Sequence, residues 1–453
     1  MSHASNHLVM GWKVVDEFLC RRTPVMYDHT TVLSESARLI LKDAYMLWYL
    51  ATTDSLSSFG LPPDLANNRW LNAVCSVSVD LLVRLLKSVS HLLVTGDYTD
   101  YDSFKQSLRD EYPFVGEIIS PMKRIIDHWC RFDDTDALYL AYSWASFLTR
   151  LNLPDLDVLK EKALSEYLLT ESLLDSVRAT EDEERLIGGW FPRDLRDMCF
   201  LAESHVPAHG PGSTADCGNS MIDKYLGYRH DSRLNMLCTR VGGSPLFPRK
   251  SDLPLERRSR TIFVPKSLSS YRTISMEPAS IMWHQKGVRN SLLRLMEEKR
   301  HYLRRRYVPE YQDPNRDLAF EGSINGSFAT IDLSSASDMV SWSTVSKWFR
   351  NTSLYPWLLW TRSTHTQLPD GQVIKLRKYA PMGSDLCFPI ECIVFCAITE
   401  CAIRECGANP ITSRYRVYGD DIVVEQEYAS AVVQRLIQNG FRVNTEKSFL
   451  GPR

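Results

Sequence analysis

The stretch YRVYGDDIVVE, Tyr415–Glu425, decides how this chain reads. Apolar residues alternate on both sides of Gly419-Asp420, a dipeptide suited to a two-residue hairpin loop. The pattern predicts strand, tight turn and strand over Arg414–Glu425. Such a hairpin would put Asp420 and Asp421 at an exposed tip. Two adjacent carboxylates repel each other, so the pair favours a cation that neutralises both. A plain surface turn is the competing reading, because Gly and Asp are common in turns.

Upstream lies FATIDLSSASDMVSWSTV, Phe328–Val345. Its β-branched and aromatic start, Phe328–Ile331, predicts a short strand ending at Asp332, after which a Ser-rich turn opens a helix. An acid at the end of a strand projects into a cleft. Asp332 is therefore placed to join Asp420 in holding two Mg²⁺ ions roughly 4 Å apart. It also reads as a helix cap, and Ser335-x-x-Asp338 reads as a capping box. Between these segments, YAPMGSDLCFPIECIVFCAITECAI (Tyr379–Ile403) is a loop feeding a long apolar helix. Ser384 or Asp385 is the expected N-cap. Gly383 permits close backbone approach to a ligand. Cys392 and Cys396, one turn apart, read as core thiols.

Arg257–Gly287, RRSRTIFVPKSLSSYRTISMEPASIMWHQKG, predicts strands over Arg260–Pro265 and Tyr271–Ser275, then a basic helix over Ile281–Arg306. Arg260, Lys266 and Arg272 fall on those strands and their loop. Cations there would neutralise a triphosphate and its leaving pyrophosphate; a solvated basic surface is the alternative. The charge distribution favours a polyanion. Residues 249–306 hold 15 Lys/Arg and 5 Asp/Glu, a balance of +10, within a chain of net charge −2. The remainder is therefore −12. Arg304, Arg305 and Arg306 read as phosphate contacts or as solvated side chains. Downstream, Glu427–Asn439 predicts a helix closed by Gly440, and Phe441–Asn444 a strand.

The first 200 or so residues read mostly as helices, including Leu71–Val94 and Ala137–Leu151. Pro154–Leu186 is acidic and helical, the composition of a solvated face. His205–Ser220 is a Gly/Pro/Ser-rich loop and a natural boundary. His205, His209 and Cys217 within it match no zinc spacing.

Length and composition set the outer limits. At 453 residues the chain allows about three structural units. Hydrophobic residues at 44% and charged residues at 24% fit a globular protein and exclude a disordered, collagen-like or rod-like chain. No apolar segment behind a basic start suggests a signal peptide. The most apolar run, Phe388–Ile403, is interrupted by Glu391 and Glu400, so no membrane span is expected. Eleven Cys without a CxxC pair point to reduced thiols in a cytosolic compartment.

The order of the segments is more specific than any one of them. A basic β-loop precedes a strand-end Asp, a Gly loop into an apolar helix, a Gly-Asp-Asp hairpin and a helix–strand unit carrying Lys447. This order resembles motifs F, A, B, C and D of right-hand template-dependent RNA polymerases. The wording is similar to the replicase β subunit of the positive-strand RNA bacteriophages, the levivirus group. The residues that carry the likeness are Val264-Pro265-Lys266, Glu277-Pro278, Gln285-Lys286-Gly287, Ala329–Asp338, Tyr418–Asp421 and Gly440–Phe449. The likeness covers roughly residues 255–450.

The resemblance implies an α+β right-hand polymerase with fingers and palm. Residues 1–245 would form a helix-rich N-terminal region and fingers. Residues 246–325 would form a basic fingers segment with the triphosphate-binding loop, and residues 326–453 the palm. Family members continue past the position of Arg453, so the thumb is expected to be truncated or missing and the chain alone weakly active. The implied activity is RNA synthesis from NTPs on a viral RNA template. Asp332 and Asp420 would bind two Mg²⁺ ions, for which Mn²⁺ can substitute, with Asp421 assisting. Arg260, Lys266 and Arg272 would grip the triphosphate. Asp338, Gly383 and Ser384 would lie near the incoming ribose. Lys447 would donate a proton to pyrophosphate, or is a strand-edge surface lysine. Ser384-Asp385-Leu386 departs from the more Gly/Asn-like wording of the family at that point. Implied partners are single-stranded RNA template and product, host elongation factors Tu and Ts and ribosomal protein S1, in the cytoplasm of a bacterial host. A reverse transcriptase and a catalytically silent RNA-binding protein on the same fold are the alternatives.

Overall fold

The computed structural model describes residues 79–451 except 110, 114, 150–156, 175, 176, 178, 231, 232, 235–250, 268, 269 and 446. The start of the helix predicted over Leu71–Val94 lies outside the described residues. The described chain groups into two compact units. One runs up to Glu161 and includes Pro265–Arg272; the other comprises Lys162–Val264 and Thr273 onward.

The first unit is helical: α1 (Val79–Thr95), α2 (Tyr101–Arg109), α3 (Val115–Ile118), α4 (Lys123–Phe132) and α5 (Thr135–Thr149). Helix α1 buries Leu82, Leu85, Leu86, Val89 and Leu93, a spacing that keeps one stripe inward. Helix α5 packs against both α1 and α4. Phe104 and Trp129 meet edge-on at 6.2 Å between centroids in the middle of this core.

In the second unit, α6 (Asp157–Leu173), which begins just before the division, is followed by α7 (Glu181–Trp190), α8 (Leu195–Glu203) and α9 (Met221–Leu226). The strands β1 (Arg229–His230), β2 (Ser251–Pro254), β3 (Arg258–Ser267) and β4 (Ser270–Met276) lead into α10 (Ala279–Glu298) and α11 (Asp313–Asn325). Then come β5 (Phe328–Ile331), β6 (Leu333–Ser334), α12 (Ala336–Met339), α13 (Trp342–Trp348), α14 (Tyr355–Trp360), β7 (His365–Gln367) and β8 (Val373–Lys375). The last elements are α15 (Cys387–Glu405), β9 (Tyr415–Tyr418), β10 (Asp421–Glu425), α16 (Ala429–Gln438) and β11 (Arg442–Val443).

The sheet that matters most has the order β5-β10-β9, antiparallel throughout. Ile422, Val423 and Val424 are buried in succession, as expected of a central strand covered on both faces. Helices α11, α15 and α16 pack on this sheet. Helix α15 is buried all round from Pro389 to Ile403. The apolar run noted in the sequence is therefore a core helix, and no helix among the described residues is long and apolar enough to cross a membrane. Its acid Glu400 accepts hydrogen bonds from the Tyr415 hydroxyl at 2.6 Å and the Tyr302 hydroxyl at 3.0 Å, which satisfies it inside the core.

Several expectations need correction. The basic helix ends at Glu298, not Arg306, because Arg300 takes a left-handed conformation (φ 45°) that breaks the helical path; a separate 3₁₀ turn follows over Tyr302–Arg305. Arg305 is exposed, whereas Arg304 and Arg306 have protein partners. Arg304 pairs with Glu297 and Glu310, and Arg306 donates to the carbonyls of Pro410 and Ile411. Nor is the acidic stretch simply a solvated face, since Glu171 and Glu183 are buried. Glu183 binds the Arg435 guanidinium at 2.6 Å, and Glu171 accepts from the Arg377 amide at 2.8 Å. A polar composition does not show which acids will find buried partners.

Candidate active site

The β9–β10 register pairs Tyr418 with Asp421 and leaves Gly419-Asp420 as the two-residue loop the sequence predicts. Gly419 has φ +62°, the left-handed value such a turn requires. Its amide donates to Cys392 Sγ at 3.1 Å, so a core thiol of α15 holds the turn. Asp420 is exposed at the tip, and Asp421 is half-buried as the first residue of β10.

Asp332 comes from the neighbouring strand. Ile331 pairs with Ile422, so the next position brings Asp332 level with Asp421. The chain then leaves that sheet and pairs with β11, Ser334 opposite Arg442. The segment after β11 folds back around Asp332. The Asn444 amide donates to the Asp332 carbonyl at 2.9 Å, and the Asp332 amide donates to Ser448 Oγ at 3.0 Å. This return places Lys447 Nζ 3.8 Å from Asp332 Oδ2. Neither helix-capping expectation holds. Ser335 stands at the N-cap of α12 in a left-handed conformation (φ 53°) and makes no side-chain cap bond. A side-chain cap normally comes from a residue with extended backbone. Asp338 instead faces Lys378, with Oδ1 3.4 Å from Nζ.

The carboxylates share one electrostatic neighbourhood. Burial pushes the Asp421 carboxyl above its ordinary range, and the negative charges of Asp420 and Asp332 push it further; the Gln312 amide and Lys447 oppose the shift. Burial also raises Glu391 well above the usual carboxylate range, with Asp420 and Asp338 adding to it. Five acids from three segments thus share one region, and crowding of like charge is relieved by a cation. The donor set is entirely hard carboxylate oxygen, which suits Mg²⁺ or Mn²⁺. Among the described residues, no three His, Cys, Asp or Glu side chains are drawn close enough to hold a metal as they stand. His205 hydrogen-bonds His284 at 3.0 Å, and His209 packs against Trp283 and Tyr225.

The other residues singled out in the sequence fall as follows. Arg260 is exposed on β3, in the second unit; Lys266 and Arg272 are exposed on the β3–β4 tip that groups with the first. Gly383 has φ +119°, a region open essentially only to glycine. A Cβ there would run into the Ser275 carbonyl oxygen, so the close approach it permits is to strand β4. The Ser275 amide also donates to the Met382 carbonyl at 2.8 Å. Ser384 is buried, and its Oγ accepts from the Leu386 amide at 3.2 Å. Leu386, rather than Ser384 or Asp385, is the N-cap of α15, because the loop is anchored on β4 and enters the helix later than expected.

Four side chains around the carboxylates escaped the sequence reading. Gln312 Nε2 donates to Asp421 Oδ2 at 2.7 Å, and Asn315 Nδ2 donates to the Asp421 carbonyl at 3.2 Å. Both sit at the start of α11, where Pro314 in the first turn marks a helix start that the sequence does signal. Glu391 was visible only as an acid interrupting an apolar run. Lys378 carried no signal, since nothing local shows that it is buried.

Residues 241–452 match the family model described as RNA replicase, beta-chain. The RNA-directed RNA polymerase subunit beta of Qbeta virus (strain MX1) is 32% identical over 200 residues, covering 43% of this chain and 32% of that protein. The RNA-directed RNA polymerase beta chain of Escherichia phage MS2 is 35% identical over 191 residues, 41% of this chain and 32% of that protein. The matched stretch thus spans about a third of the length of these relatives. Among solved structures, an insertion-loop deletion mutant of the RNA-dependent RNA polymerase of a human picorbirnavirus aligns over 80% of this chain and 68% of that one, at 12% identity and TM-score 0.42. The BmCPV RNA-dependent RNA polymerase at elongation state aligns over 84% and 40%, at 13% identity and TM-score 0.43. The likeness to replicase β subunits seen in the motifs is thus found again across the matched segment.

Proposed function

We propose that this chain carries the catalytic part of an RNA-directed RNA polymerase that copies a phage RNA from ribonucleoside triphosphates. In this reading the β5-β10-β9 sheet is the palm. One observation supports it above the others: Asp332 and Asp421 stand level on adjacent strands, with Asp420 in the turn beside them.

Asp332 and Asp420 would hold two Mg²⁺ ions, with Asp421 assisting; bound there, the ions lower the pKa of the attacking 3′-OH and offset charge on the leaving pyrophosphate. Gln312 and Asn315 keep Asp421 oriented. Lys447, 3.8 Å from Asp332 Oδ2, would give a proton to pyrophosphate. Arg260, Lys266 and Arg272 would bind the triphosphate. Asp338 would accept the ribose 2′-OH, and Gly383 and Ser384 would shape the loop beside it. By family likeness the work would be done in the host cytoplasm with elongation factors Tu and Ts and ribosomal protein S1.

The test is nucleotide addition to a primed RNA template by the full chain with those host factors present. Asp420→Asn is expected to abolish addition, and NTPs to be used far better than dNTPs. Survival of Asp420→Asn within about tenfold, ~1.4 kcal/mol of barrier, would refute the carboxylate role. Preference for dNTPs would favour a reverse transcriptase.

A further inference from the structure

Lys378 is fully buried, yet nothing in the mechanism above uses it. A buried ammonium is costly unless it is paired. Its Nζ lies 3.4 Å from Asp338 Oδ1, donates to the Tyr167 carbonyl at 3.2 Å, and sits 3.2 Å from the centroid of the Tyr167 ring. Asp338 Oδ1 is itself buried and has no conventional hydrogen bond among the described residues. The lysine is therefore the cation that offsets this oxygen.

The backbone around Lys378 is held just as firmly. The Arg377 and Lys378 amides donate to Glu171 at 2.8 and 3.4 Å. Arg362, buried over the Trp342 ring, donates to the Lys378 carbonyl at 2.9 Å. The backbone that carries the ammonium is thus fixed on both sides. Asp338 also lies near Glu391 and Glu171, whose charges act against its own. Without the ammonium, its carboxylate would lose the cation that holds it and could turn toward water.

We propose that Lys378 is a positioning residue that holds the Asp338 carboxylate toward the incoming sugar and so sets the choice of ribo- over deoxyribonucleotide. This rests on the polymerase reading and names the device behind its sugar selectivity. The 2′-OH needs an acceptor fixed in position, and a carboxylate free to rotate does not supply one. The effect falls on the ribose interaction alone, so a deoxynucleotide should not sense the change.

The experiment measures kcat/KM for single additions of an NTP and its dNTP on the same primed RNA, using the full chain with host factors. Lys378→Met is expected to lower the NTP/dNTP ratio roughly tenfold or more, the scale of one hydrogen bond to a charged group. The loss should come from NTP, mostly through KM, with dNTP use unchanged. Asp338→Asn should show the same loss, and combining the two should add little. If Lys378→Met does not fold, Lys378→Met/Glu171→Gln, which also removes a buried negative charge, is read the same way. A ratio within twofold of the unaltered protein in a folded variant would overturn the proposal, as would full additivity with Asp338→Asn. If the unaltered chain adds no nucleotide at all, the polymerase reading has failed instead.

Discussion

Gln312 Nε2 donates a 2.7 Å hydrogen bond to Asp421 Oδ2, and so connects the start of a helix to the first residue of the strand that follows the Gly-Asp turn. Asn315, three residues on, holds the backbone of the same aspartate. Asp421 therefore has its Oδ2 committed to the protein. Gln312→Ala frees that oxygen. Nucleotide addition is expected to fall about tenfold, the worth of one charge-assisted hydrogen bond, with a higher Mg²⁺ requirement. A Mg²⁺ titration of the addition rate checks this. An unchanged half-saturation point would show that the bond does not prepare Asp421 for metal.

Arg435 tests the packing that supports the sheet from behind. It is buried, binds Glu183 at 2.6 Å and Asp182 at 3.1 Å, and also pairs with Glu405. Arg435→Met leaves Glu183 charged in a site with no exposure. Breaking one side of such a buried pair costs about 3–5 kcal/mol. Urea denaturation should show that loss in the transition of the second unit, and Arg435→Met/Glu183→Gln should recover part of it. If the double variant is no more stable than the single one, the penalty does not come from an orphaned carboxylate.

His205 makes stability depend on pH. Burial pulls its pKa down to about 4, and the ring stacks on His284 and hydrogen-bonds it at 3.0 Å. The unfolded chain binds this proton near pH 6.5, so the unfolded state holds more protons between pH 6.5 and about 4. Stability is thus fully present above pH 6.5 and falls as the pH drops through this window, by up to about 3 kcal/mol from this group. In His205→Gln, whose side chain does not titrate, the slope of unfolding free energy against pH should flatten over the same range. An identical slope in the variant would assign the acid sensitivity to other buried histidines, such as His209.

The local features were legible wherever chemistry repeats at short range. The hairpin around Gly419-Asp420, the strand ending at Asp332 and the helix closed by Gly440 all follow from periodicity and turn chemistry. Reading failed where a residue's role depends on a distant neighbour. Ser335 was expected to cap a helix, yet its left-handed backbone prevents this. That Gly383 lets the Ser275 carbonyl approach could not be read locally, because strand β4 lies more than a hundred residues away in sequence.

From the sequence alone came the strand ends, the turn and the identity of the acids, because alternation and turn preferences act over a few residues. Pairing of β5 with β10 put Asp332 beside Asp421, and the return of the chain after β11 put Lys447 near them. Burial then gave Lys378 and Glu391 their parts, and a hydrogen bond to Asp421 gave Gln312 its own. Such placements depend on which surfaces leave water together, and that is settled only when the whole chain has packed.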